Sequence, residues 1–240
     1  MRILAIDTSN EVMSIAVLEN QTMIGELTTN VKRNHSERLM PAIDELMKDV
    51  SWQPEELDRI AIAKGPGSYT GLRIGATIAK TLAWTLQKEL TGVSSLKVLA
   101  ANRIPSSSYI VPLFDARRGN IYTGLYRYEA GELKQVEPDT HISAERWARH
   151  LLRLDEPVEL IGQDTAKHIE TFREVLGDNV RVAPQKDHIP RASVLGWLAF
   201  DEQPLDVHTF TPDYLKLAEA EEKWRKAHPE DAGGEYVEKI

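Results

Sequence analysis

The sequence predicts an α/β protein in which one supersecondary unit occurs twice. Three observations carry this. The chain opens with three apolar-alternating segments joined by short polar turns, segments of helical and strand period then alternate, and the same order restarts after residue 103. No close sequence repeat accompanies the restart, so the duplication rests on element order alone.

Arg2 to Ile6, Met13 to Leu18 and Met23 to Thr29 alternate as strands do, and their short links at Ser9 to Glu11 and Glu19 to Thr22 imply an antiparallel meander. A helix follows in which Leu39, Ile43, Leu46 and Met47 share a face, with Asn34 and Ser36 as candidate caps. Pro41 must kink it or lie near its first turn. After a short helical start at Pro54 to Leu57, Ile60 to Ala63 forms a buried strand that empties into Gly65-Pro66-Gly67-Ser68-Tyr69-Thr70-Gly71. A long apolar helix then runs from about Leu72 to Leu86. In it Gly71, Gly75, Ala79 and Ala83 recur every fourth residue and line one ridge. Glycine inside a helix costs about 1 kcal/mol against alanine, so close packing is expected there, either against another helix or against the domain's own sheet.

The loop Pro105-Ser106-Ser107-Ser108 marks a domain junction. Beyond it come strands Tyr109 to Phe114, Asn120 to Tyr128 and Leu133 to Val136, helix Ser143 to Leu152, strand Val158 to Gly162, helix Thr165 to Leu176, strand Val180 to Val182 and helix Arg191 to Phe200. The expected domains are 1–102 and 103–218, the terminal helix packing back on the first, followed by a charged tail over 219–240.

The 240 residues are 42% hydrophobic, enough for one large core or two small ones. A net charge of −8 disfavours autonomous binding to nucleic acid or anionic membrane, so any RNA contact is expected to be indirect, through a partner. The absence of cysteine excludes disulfides, thiolate metal sites and a cysteine nucleophile, and suits a reducing cytosol. No apolar run approaches the length of a signal peptide core or spanning helix, and the expected location is cytoplasmic, with no membrane partner.

Among candidate sites, Asp7-Thr8-Ser9 ends the first strand, where an acid and two hydroxyls can hold a phosphate or its Mg²⁺, or simply form an Asx turn. The loop with Gly65, Gly67, Ser68 and Thr70 presents N–H groups at a helix N-terminus, which favours anions, but lacks the Gly-Lys-Ser/Thr of a Walker loop. His35 and Glu37, two apart, cannot share one helical face as ligands, and the seven histidines include no His-x₃-His pair. Arg117 and Arg118, after Asp115, could clamp an anion or pair with carboxylates. No nucleophile elbow occurs.

Four segments in order, Ile3-Leu4-Ala5-Ile6-Asp7-Thr8-Ser9, Asn34 to Pro41, Gly65 to Gly75 and Phe114-Asp115-Ala116-Arg117-Arg118, resemble the bacterial TsaB (YeaZ) family, with weaker likeness at Gly162-Gln163-Asp164 and Pro212-Asp213-Tyr214-Leu215. The resemblance implies the two-domain, duplicated βββαβαβα fold of the acetate-kinase, sugar-kinase, Hsp70 and actin (ASKHA) group. It also implies a non-catalytic subunit that assists a TsaD-like paralogue, with a TsaE-like ATPase, in forming N6-threonylcarbamoyladenosine at position 37 of ANN-decoding tRNAs. A homodimer is expected when the paralogue is missing. Ser95 and Leu99 stand where the TsaD-like enzymes carry their metal-binding His-x₃-His, so neither a metal nor a catalytic residue is expected. No cofactor is expected beyond a residual or composite ADP/ATP site in the complex. The implied interface comprises His35, Glu37, Leu39, Met40, Ile43 and the ridge Gly71, Gly75, Ala79, Ala83. Competing expectations are a small-molecule kinase or ATPase of the same fold and a metallopeptidase.

Overall fold

The structure is a computed structural model describing residues 1–31, 34–105 and 108–216. Its first half runs β1 (Arg2–Asp7), β2 (Met13–Glu19), β3 (Thr22–Thr29), α1 (His35–Asp49), β4 (Arg59–Gly65), α2 (Tyr69–Leu86), β5 (Glu89–Ser94) and α3 (Ser95–Ala100). The second repeats that order with β6 (Tyr109–Asp115), β7 (Asn120–Glu129), β8 (Glu132–Ser143), α4 (Ala144–Leu151), β9 (Val158–Ile161), α5 (Thr165–Leu176), β10 (Val180–Val182) and α6 (Ala192–Ala199). The sheets are ordered β3-β2-β1-β4-β5 and β8-β7-β6-β9-β10. In each, the opening hairpins are antiparallel and the last three strands of the sheet are parallel. The duplicated unit anticipated from element order is therefore present in both sheets.

Central β1 and β4 are nearly continuous apolar runs because both faces of the first sheet are covered. Leu4, Ile6, Ile60 and Ile62 meet α1 and α2 on one face. Ile3, Ala5 and Ala61 meet Ala192, Leu195 and Ala199 of α6 on the other. In the second half α4 and α5 cover one face. Leu96, Leu99 and Ala100 of α3 cover the other, against Ile110, Phe114 and Tyr126. The last helix of each unit thus packs on the sheet of the other unit. Arg59 fastens this exchange: its guanidinium donates to the carbonyls of Ala199 (2.5 Å) and Phe200 (3.0 Å) at the end of α6 and pairs with Glu89 at 2.7 Å.

α1 is capped by the Asn34 side chain, which accepts the Ser36 N–H at 3.2 Å, and continues unbroken through Pro41. α2 starts earlier than expected, at Tyr69, because Ser68 is its cap and accepts the Gly71 N–H. Two elements, β5 and α3, were not anticipated. The last strand of the second hairpin continues to Ser143 instead of ending at Val136, since β8 lies at the sheet's edge, where Pro138 breaks no essential ladder. Residues 106 and 107 of the junction loop and the whole tail over 219–240 lie outside the described residues. Among the described residues no helix is long and apolar enough to cross a membrane.

Candidate functional site

The glycine loop and the Asp7-Thr8-Ser9 turn are interlocked. Ser68 N–H donates to the Ser9 carbonyl at 2.7 Å, and the Thr8 hydroxyl donates to the Gly71 carbonyl at 2.8 Å. A Cβ on Gly67 would sit 2.1 Å from the Ser9 carbonyl oxygen, and one on Gly71 would sit 2.1 Å from that of Thr8. On Gly75 it would lie 2.4 Å from the Thr8 hydroxyl. These glycines are required by the approach of β1's end to α2. The ridge Gly71, Gly75, Ala79, Ala83 is accordingly buried on the domain's own sheet, which corrects its assignment to a partner interface. Leu39 is corrected for the same reason, being buried in the core beneath α1, while Ile43, although buried, also lines the groove between α1 and α2. Of the implied interface residues, Glu37 and Met40 are exposed and His35 is half-buried, its Nε2–H donating to the Asn10 carbonyl at 2.9 Å.

A polyphosphate does not fit this arrangement. The chain itself fills the notch that glycines leave for a ligand in phosphate loops, and the Ser68 N–H is spent on Ser9. Asp7 is buried, its Oδ1 accepts the Ser9 N–H at 2.9 Å, and its Oδ2 and the Ser9 hydroxyl have no partner among the described residues. Burial pushes the Asp7 carboxyl above the usual range, against the smaller opposing effects of the bonds from Ser9 and the nearby His35. Where the resemblance aligns a metal-binding pair, the Ser95 hydroxyl instead accepts the Gly65 N–H at 3.1 Å and Leu99 is core. Among the described residues no three His, Asp or Glu side chains converge to hold a metal.

Between the two sheets lies a cleft of about 530 Å³ lined by Lys64, Ser94, Gln135, Asp139, Asp213 and Tyr214, among others. It is bridged rather than open. Asp139 accepts from Ser94 across the cleft, from Tyr126 at 2.5 Å and from Gln135 at 3.0 Å. Burial, with Asp213 nearby, raises the Asp139 carboxyl, while the three donors oppose the rise. Lys64 pairs with Asp213 at 3.2 Å, and the Asp213 N–H donates to the Lys64 carbonyl, tying the segment after α6 across the mouth.

In the second unit Asp115 occupies the strand end that Asp7 holds in the first. His168 Nε2 lies 3.1 Å and Lys167 Nζ 3.5 Å from its carboxylate, and the Arg117 N–H donates to it at 3.1 Å. Burial would raise the Asp115 carboxyl, but these partners outweigh it and hold it below the usual range. Arg117, Arg118 and Gly119 turn the chain with successive φ values of 67°, 54° and 73°.

α2 presents two faces besides its buried ridge. Ile74, Ile78, Leu82 and Leu86 lie on the flank toward α1, and Leu82 and Leu86 join Met40, Ile43 and Met47 in an apolar groove of about 470 Å³. This second four-residue series was present in the sequence and was overshadowed by the small-residue ridge. The other flank carries Tyr69, Arg73, Lys80 and Trp84 beside residues 206–214.

The family model described as "TsaD: tRNA N6-adenosine threonylcarbamoyltransferase" matches residues 12–224. The "tRNA threonylcarbamoyladenosine biosynthesis protein TsaB" of Bacillus subtilis (strain 168) is 49% identical over 93% of this chain and 98% of its own. This chain belongs to the TsaB family. The TsaB of Escherichia coli (strain K12) is 33% identical over 53% of this chain and 55% of its own length. The solved YeaZ of Pseudomonas aeruginosa superposes with a TM-score of 0.75 at 25% identity, covering 89% of this chain and 99% of that one. TsaB membership places the chain in the biosynthesis of threonylcarbamoyladenosine in tRNA. The interlocked loops and the bridged cleft are thus features of a TsaB-family chain.

Proposed function

We propose that this TsaB-family chain is a non-catalytic subunit that binds a TsaD-type transferase and holds it in the conformation that forms N6-threonylcarbamoyladenosine at position 37 of ANN-decoding tRNAs. The observation that carries the reading is the apolar groove between α1 and α2, floored by the buried Ile43 and Met47 and edged by the exposed Met40 and the half-buried Leu82 and Leu86, together with a glycine loop filled by its own chain. Hydrophobic positions left open on two adjacent helices suit helix-on-helix docking, with Asp44 and Lys48 at the rim to orient it. A subunit that binds only the competent state of an enzyme shifts that enzyme's population by its differential affinity, and needs no chemistry of its own.

A TsaE-like ATPase belongs to the same assembly in this reading, any ADP or ATP lies at a composite site, and the protein works in the cytoplasm. Without its partner the groove would pair with a second copy, because a self-complementary face gives a twofold dimer. The test is reconstituted tRNA modification with and without the chain, together with size-exclusion of the complex. Met40→Glu with Leu82→Glu should abolish both co-elution and stimulation while circular dichroism stays unchanged. Full stimulation by a folded double variant would end the proposal.

A further inference from the structure

The flank of α2 away from α1 is chemically unlike the rest of the surface. Tyr69, Arg73, Thr77, Lys80 and Trp84 recur at spacings of three and four, so they form one stripe about 22 Å long. α2 contains no acidic residue. Several arginines elsewhere are held by carboxylates, as Arg103 is by Glu159, Arg127 by Glu156 and Arg191 by Glu26. On and beside α2 the cations bond to neutral acceptors. Arg73 donates to the Tyr69 hydroxyl at 3.1 Å and lies 5.4 Å from the centre of that ring. Lys80 donates to the carbonyls of Phe210 (2.8 Å) and His208 (3.2 Å), and Lys88 to that of Glu55 (2.7 Å). Such bonds fix the side chains without neutralising them. The nearby carboxylates are engaged otherwise, Asp213 with Lys64 and Asp206 with the His208 N–H at 2.8 Å.

Aromatic rings interleave with these charges. Trp84 is 65% exposed, with His208 edge-on to it at 6.5 Å. Tyr69 and Tyr214 contact each other at 4.9 Å between centroids, and both remain more than a third exposed. Uncompensated cations held in place between open aromatic faces are the combination that binds unpaired nucleic acid, phosphates meeting the charges and bases meeting the rings. An acidic protein face would use the charges but leave the rings without a role.

We propose that this stripe is a direct contact surface for the tRNA substrate, with Arg73 and Lys80 against its phosphates and Tyr69, Tyr214 and Trp84 against bases of an unpaired segment. The inference rests on the tRNA-modification reading above. It departs from the indirect contact expected from the net charge of −8, because the field that a polyanion meets is the local one.

The test uses an unmodified ANN-decoding tRNA transcript containing 4-thiouridine, first with the assembled TsaD-type complex and then with the full chain alone. Photocrosslinks should map to Tyr69–Trp84 and 208–214. By fluorescence anisotropy, Arg73→Glu and Trp84→Ala should each weaken tRNA binding by the complex about tenfold. Arg73→Glu should also reduce the salt slope by about one, and Arg73→Lys should restore it. Unchanged affinity in both variants, or crosslinks confined to other surfaces, overturns the inference. Retained tRNA affinity with loss of the protein partner would overturn it in favour of a protein contact. Failure of the underlying reading would show earlier and separately, as a wild-type chain that neither joins the complex nor stimulates modification. Crosslinking to the chain alone still decides the stripe in that event.

Discussion

Asp7 and Asp115 stand at the same point of the repeated unit, each ending the central strand of its sheet, yet their surroundings are opposite. Asp7 is sealed beneath a glycine loop that packs backbone to backbone on Thr8 and Ser9. Asp115 faces His168 and Lys167, and its own N–H donates to Asp164 at 2.9 Å. One unit closes its strand end by removing side chains and the other by adding charges. The difference teaches that the same strand end of a repeated unit can be closed in two ways, and that only the first leaves a motif as conspicuous as Gly65 to Gly75.

The comparison breaks most readily at the glycines. Gly71→Ala puts a methyl group into the Thr8 carbonyl and is expected to cost about 3 kcal/mol or to prevent folding, because neither backbone can retreat. Gly67→Ala should behave alike. Gly119→Ala, in the second unit's turn, meets nothing within 4 Å and should cost only about 1 kcal/mol, from its φ of 73°. Urea unfolding of the three variants checks this, and equal losses would show that the loops are not interlocked.

The exchange of α3 and α6 between sheets is sharpened by a second pair. Arg59→Leu removes the donor to the carbonyls at the end of α6 and should cost about 2 kcal/mol, with early hydrogen exchange in Ala192–Ala199. Arg127→Leu breaks a half-exposed pair with Glu156 in the second unit and should cost under about 1 kcal/mol. A larger loss at Arg127 would contradict the role given to Arg59.

Element order was legible because periods of 2 and 3.6 survive without tertiary information, and so was the need for a close approach at Gly67, Gly71 and Gly75. What approaches them was not, since Thr8 and Ser9 lie some sixty residues earlier and a small-residue ridge fits a sheet as well as a helix. β5 and α3 escaped because Thr91, Gly92, Ser94 and Ser95 dilute the apolar pattern, although Ser94 and Ser95 turn out to serve as cap and as acceptor for Gly65. The partners of Asp115 were invisible for the same reason as those of Gly71: Lys167 and His168 come from a helix fifty residues on, and sequence spacing carries no record of sheet adjacency.

The smallest effect separates the two aspartates by sign. The folded Asp7 carboxyl titrates above its unfolded value, so its ionised form weighs against the fold at neutral pH, and that burden lifts as pH falls through the raised folded value toward the unfolded one. Asp7→Asn should therefore stabilise the protein at pH 7, by about 1 kcal/mol, and lose the advantage in acid. Asp115 titrates below its unfolded value, contributes stability above that value and loses it as pH falls through the lowered folded value. Asp115→Asn should destabilise by about 1 kcal/mol at pH 7 and match the parent protein in acid. Thermal unfolding of both variants from pH 7 to pH 3 should give difference curves of opposite sign that converge at the acid end. Curves of the same sign would mean that Asp7 is compensated in the fold by a partner as Asp115 is, and the contrast between the two strand ends would collapse.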